Sequence, residues 1–381
     1  MTIIRVALLA VFSVPLHAQT PTIRDSAGIR IVTNPPLAAA PETFRFNPSP
    51  ILDVGGLEDN PDLELKSNQG YLRGVFLSNG TLAVTDEWRL QFFDRTSARL
   101  GILGAKGAGP EEFRYIVGIC RTRGDTIVVH DSHNARNAVI SPAPAIVRTF
   151  PAEPNGRLTF SSCFDDGTVV LVDSDYDRAT QTSTMKYQRA RLDGTIINQL
   201  VSVPPTRYDM VTSAEHAVAT AGQRFYHGLP GASQITAYNP AGQPVLMIRY
   251  PGTPEKITDA DALGRISYAM PGGGGKPTEA DVAAAKAEAL KLWKSRPHAE
   301  YWPANGRIHV DDQGRLWVNQ YRKKTKAPDV WVAFTTDGRM IGKLVLPTGR
   351  KEVIGFGNNA ILIRTFDDDG ATHLALHSIV R

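Results

Sequence analysis

The chain has 381 residues, 42% of them hydrophobic, with 33 Gly and 26 Pro, enough apolar material for a large core and turn residues suited to an all-β protein. It carries 42 Lys and Arg against 38 Asp and Glu; without Arg5 the excess is three, too small and too scattered for a nucleic-acid footprint. Nucleic acid is therefore not an expected partner.

The first element is a candidate signal peptide over residues 1–18. Arg5 precedes an apolar stretch from Val6 to Val14 that is too short to span a bilayer, and Pro15-Leu16-His17-Ala18 offers a cut after Ala18. No cysteine follows that cut to take a lipid, and no later run reaches the length of a membrane helix. The sequence thus predicts a soluble protein, periplasmic or secreted, with a leader over residues 19–43 in which Arg30-Ile31-Val32 could form an edge strand.

From residue 44 a short phrase recurs: a turn residue, a run of small or β-branched apolar residues, and often Asp six positions on. The copies begin at Gly80, Asp125, Gly167, Gly222, Gly314 and Asn359, spaced 45, 42, 55, 92 and 45 residues apart. A period of roughly 45 residues means one supersecondary unit stacked on itself, and the 92 gap is one period plus an insertion. Each unit continues into a second strand pair, as in Leu90 to Asp94 and Leu100 to Leu103, through hairpin signals such as Leu192-Asp193-Gly194 and Thr336-Asp337-Gly338. Continuous apolar runs such as Thr-Ile-Val-Val imply sheets covered on both faces. Four strands per unit, repeated radially, predict an all-β, six-bladed β-propeller over residues 44–381. Ile51 to Gly56 resembles an outer strand without a unit of its own, while the last unit is one strand short. The N-terminal strand should therefore complete the last blade.

Residues 251–300 interrupt the period. Thr278 and Asp281 form a capping-box-like start for a helix running to Trp293, and a weaker helical stretch runs from about Thr258 to Tyr268. This small helical insertion, between the fourth and fifth units, should lie on the face shared with the other inter-blade loops.

The phrase Gly104-Ala105-Lys106-Gly107-Ala108-Gly109-Pro110-Glu111-Glu112-Phe113 between units, together with the turn-apolar-Asp strands, resembles NHL-type and TolB-like six-bladed β-propellers, specifically exported bacterial members. The resemblance covers nearly all of residues 44–381, although units four to six lack the aspartate. It implies fold and is nearly silent on activity.

Several residues carry candidate chemistry. Asp86, Asp131 and Asp173 are best read as acceptors for backbone N–H groups of the following turn. Asp173 to Asp177 alternates oxygens as a calcium loop does but lacks its glycine and closing glutamate, and Asp367-Asp368-Asp369-Gly370 reads as an acidic hairpin turn. His130, His133 and His227 could meet over the channel, the arrangement a metal-dependent hydrolase or lyase would use, against the simpler reading of hydrogen-bonding surface residues. Gly272 to Lys276 is a hinge rather than a phosphate loop, because Pro277 follows the lysine. Arg322, Lys323 and Lys324 form a basic loop on the expected binding face, and Trp88, Arg89 and Tyr321 could join it in holding a sugar or peptide. Trp317 and Trp331 fall within strands and belong to the core. Cys120 and Cys163 occupy nearly equivalent places in neighbouring units, either as an inter-unit disulfide or as two buried thiols. The leading reading is a monomeric binding or scaffold protein for a protein, peptide or glycan, with no cofactor implied. The alternative is a lactonase-like enzyme with a site over the channel.

Overall fold

The apolar second strand of each repeat sets the architecture. Leu82–Asp86 and Ile127–Asp131 are buried at every position, and the strands beside them, Arg89–Phe93 and Arg136–Ile140, are buried almost throughout. A strand buried on both faces must have a further layer packed on each side of its sheet. Outer strands alternate instead, as in Met340–Leu346, whose inward positions alone are buried.

The computed structural model describes residues 20–56, 64–65, 72–152, 158–180, 182–206, 211, 217–229, 231–252, 255–266, 278–296, 298–321, 323, 327–349, 351–357 and 359–381. The expected signal peptide lies outside them. Three four-stranded antiparallel sheets follow one another in the chain: Arg73–Phe76 to Arg99–Leu103, Ile116–Arg121 to Ile146–Pro151, and Leu158–Cys163 to Ile196–Thr206. A six-stranded sheet adds the N-terminal hairpin Thr22–Ser26 and Ile29–Thr33 to four strands from Ala217–Ala221 to Pro244–Arg249. An eight-stranded sheet joins the run Ile308–Val310 to Met340–Leu346 with the run Glu352–Gly357 to Thr372–Val380 through one long strand, Glu42–Gly55. Ala105–Lys106 and Glu112–Phe113 form a minor parallel pair.

The arrangement is that of a β-propeller. The strands that open each run touch in a closed cycle, from Arg73–Phe76 through those beginning at Ile116, Leu158, Ala217, Ile308 and Glu352 and back to Arg73–Phe76. Apolar clusters fill the spaces between successive sheets. In one, Val128 and Val139 face Val169, Leu171 and Ala190; in the next, Val170, Tyr187 and Leu200 face Phe225. Side chains of alternating parity on one strand thus enter clusters on opposite sides of its sheet.

The closing strand is longer than the sequence suggested. It pairs antiparallel with the C-terminal strand, Leu52 with Leu376 and Val54 with Leu374, but begins at Glu42 and first runs parallel to Met340–Leu346. Burial of Phe44 explains the extension, because its ring meets Trp317 edge-on at 4.9 Å and is only 2% exposed. Residues 33–42, read as leader, contain a short 3-10 turn at Leu37–Ala39 with Leu37 in the core. The strand expected near Arg30 is Ile29–Thr33, but it is not the edge: it pairs parallel with Pro244–Arg249 and antiparallel with Thr22–Ser26, which takes the edge.

Helix α1 covers Asp259–Leu263, shorter than expected, and helix α2 covers Glu279–Ser295. Thr258 and Thr278 each cap with a full capping box, using Asp261 and Asp281 at the third helical position. Ala262, Trp293, Trp302, Ile257, Ile266 and Val211 form a small core of their own that packs the two helices together.

Candidate functional site at the axial cavity

The opening strands of the sheets are only partly buried, because their inner face borders a cavity of about 1440 Å³ on the propeller axis. That volume exceeds the roughly 300–1,000 Å³ common for small-molecule sites. Its two ends differ chemically.

At the end where the opening strands begin, Arg73, Arg307 and Arg364 surround one carboxylate, Glu352. Arg307 Nη1 lies 2.5 Å and Arg73 Nη1 3.6 Å from the same Glu352 Oε1, while Arg364 Nη2 pairs with Oε2. Arg364 stands behind Glu352 in the adjacent strand, and Arg73, Arg307 and Glu352 line the cavity. His309 lies two residues into the strand from Arg307, its ring 5.3 Å from that of Trp331 and 5.9 Å from that of Phe356. Burial, reinforced by the positive charges of Arg307 and Arg73, pushes its pKa down to about 3. The imidazole is therefore neutral at physiological pH, and its buried Nε2 meets no hydrogen-bond partner among the described residues.

The helical segment completes this end. Arg265, just after α1, lies over the Trp302 ring at 4.9 Å, donates to Tyr321 Oη at 3.1 Å and to Val211 O at 3.3 Å, and reaches Lys323 O. Lys323 forms an ion pair with Glu255. Arg265 and Tyr321 both line the cavity.

At the other end Cys120 and Cys163 form a disulfide between neighbouring opening strands, their Cα atoms 5.7 Å apart. Arg121, Asp165 and Gly222 line the same end.

The residues singled out in the sequence are dispersed. His130 is 4% exposed, within hydrogen-bond distance of Asn137 Oδ1 at 3.0 Å, and held neutral by burial; His227 is 6% exposed beside Tyr187 and Phe225. Their shared slot on the second strand points between sheets, not toward the axis. His133 is exposed and stacks on Tyr115. The three histidines thus sit in separate surroundings, and among the described residues no three His, Cys, Asp or Glu side chains come together as a metal-ligand set.

Arg89, expected on the binding face, is 3% exposed, donating at 2.8 Å to both Asp86 Oδ2 and Glu64 O, with its guanidinium over Trp88, itself half-buried. The loops over the strand ends cover what the sequence presented as exposed termini. Tyr321 lines the cavity and Lys323 contacts Arg265 through its carbonyl, whereas Arg322 and Lys324 lie outside the described residues, as does the Gly272 to Lys276 hinge. Asp131 is an acceptor for the backbone Arg114 N and Tyr115 N of the segment before its sheet, and for the Asn134 Nδ2 side chain at 2.6 Å in the turn that follows. Asp173 to Asp177 lies in strand, paired with Lys186 to Thr182, and Asp367 to Gly370 is a hairpin turn with Gly370 N donating to Asp367 O.

Sequence reasoning missed Arg73, Arg307, Glu352 and His309. Each lies at or just inside the start of an opening strand, and that equivalence in the repeat was the available signal.

No protein-family model matches the chain, and no curated protein matches it. Solved structures with similar folds include a member of the DUF4221 family from Bacteroides vulgatus, at 13% identity and a TM-score of 0.54, covering 89% of this chain and 99% of that one. Another is a Bacteroides fragilis protein described as a candidate exported protein, at 13% identity and a TM-score of 0.53, covering 92% of this chain and 100% of that one. At such identity the likeness is one of fold. Among the described residues no helix is long and apolar enough to cross a membrane.

Proposed function

We propose that the protein is an exported six-bladed propeller, of the NHL or TolB-like kind, that binds a peptide, protein or glycan ligand at the arginine-lined mouth of its axial cavity. The six-blade count takes the eight-stranded sheet as two blades sharing the strand Glu42–Gly55, and the cycle of six opening strands supports it. Export is supported by the charged-then-apolar pattern of residues 1–18, the Cys120–Cys163 bridge, and the likeness to a candidate exported protein. The observation that carries the binding reading is the convergence of Arg73, Arg307 and the Arg265–Tyr321 contact on one end of a large open cavity. Polar and aromatic groups grouped at one concave opening are what a binding site requires. Arg265, from the helical segment, lines that mouth.

The test is a glycan and peptide array probed with the purified protein, with hits quantified by isothermal titration calorimetry. Val117 lines the cavity, and Val117→Trp narrows it. Binding lost in Val117→Trp supports the assignment; binding untouched by it places the ligand elsewhere and refutes the assignment.

A further inference from the structure

We infer that the chemical group seated at this mouth is a carboxylate, gripped between Arg73 and Arg307 where Glu352 now stands as an internal surrogate. The inference rests on the mouth being the binding site and adds which ligands it accepts. Both guanidinium groups address the same Glu352 oxygen, so they are held close enough for one planar anion to touch both. Arginine forks match the spacing of carboxylate oxygens and form short, charge-assisted hydrogen bonds with them.

Arg364 secures Glu352 from behind through the other oxygen, fixing the carboxylate as a hinge point between three cations. Arg307 is 59% exposed along its side chain and so accessible from solvent while paired with Glu352, which is only 16% exposed. A ligand acid therefore meets the cations first and the protein's own carboxylate second. Asp329, another acid lining the cavity, is occupied by Asn319 Nδ2 at 2.6 Å and by Trp331 Nε1 at 3.3 Å. His309 beneath is buried and neutral, so the positive charge at this mouth comes from the arginines and not from the imidazole.

A carboxylate can come from an acidic sugar or from a peptide C-terminus, and paired probes separate the two. Calorimetry compares D-galacturonate with methyl D-galactoside, and a short peptide with its C-terminally amidated form. The acid of at least one pair is expected to bind about tenfold or more tightly than its neutral partner, with affinity falling as salt rises. Arg307→Gln, an exposed change that leaves the fold intact, should abolish about tenfold of that preference. Glu352→Gln removes the competing charge and should tighten acid binding by a few fold, a gain that misfolding cannot mimic. Equal binding of acid and neutral probes in both pairs, no binding of either acid, or an unchanged preference in Arg307→Gln overturns the inference. An array hit lost in Val117→Trp but indifferent to Arg307→Gln would leave the mouth as the site and remove only the carboxylate.

Discussion

His309 makes the stability of this protein depend on pH in a direction fixed by its surroundings. Its folded pKa falls to about 3 from an ordinary 6.5, through burial and through the charges of Arg307 and Arg73. Between those values the unfolded chain binds the extra proton and the folded one does not, so stability falls as pH falls through that window. The slope is about 1.4 kcal/mol per pH unit in its middle and vanishes above about 7 and below about 3. Guanidinium unfolding followed by tryptophan fluorescence, at pH steps from about 7.5 to 4.5, measures it against His309→Gln. Burial also depresses His130 and His377, but those groups are common to both proteins and cancel in the difference. The wild type should lose stability relative to the variant by about 1.4 kcal/mol per unit below pH 6. Parallel pH profiles would refute the claim that this imidazole is held neutral in the cavity wall.

Three other perturbations have defined outcomes. Arg89→Ala should cost about 3–5 kcal/mol in denaturant unfolding because it strands the buried Asp86 carboxylate, whereas a ligand-binding role would leave stability unchanged. Replacing Cys120 and Cys163 together by Ser should lower unfolding free energy by about 2–4 kcal/mol, as expected when a cross-link over a 43-residue separation is lost; an unchanged value would contradict a formed bridge. Thr278→Ala removes the cap of α2 and should cost about 1 kcal/mol, visible as faster amide exchange in its first turn with no change in the sheets.

The fold was legible where local and global demands agree. Ile127–Asp131 had to be covered on both faces because it has no polar side to give to water, and Thr278 with Asp281 marked the start of α2 to the residue. Gly194 and Gly338 sit at positive φ in the hairpin turns assigned to them. The opening strands were harder to read, since a strand facing a water-accessible channel mixes residue types without clean alternation. The site inherits that difficulty: Arg73, Arg307 and Glu352 are far apart in the chain and meet only when the sheets are arranged around the axis. His130 and His227 misled for the converse reason. Their equivalent slots were real, but on each second strand that slot faces the space between sheets, where both side chains are buried and where burial lowers the pKa of His130.

A crystal structure of the protein bound to its strongest array ligand tests the central claim most directly. The account predicts ligand density at the mouth where the opening strands begin, within hydrogen-bond distance of Arg73 and Arg307. Density at the Cys120–Cys163 end of the cavity, or on an outer sheet edge, would contradict it.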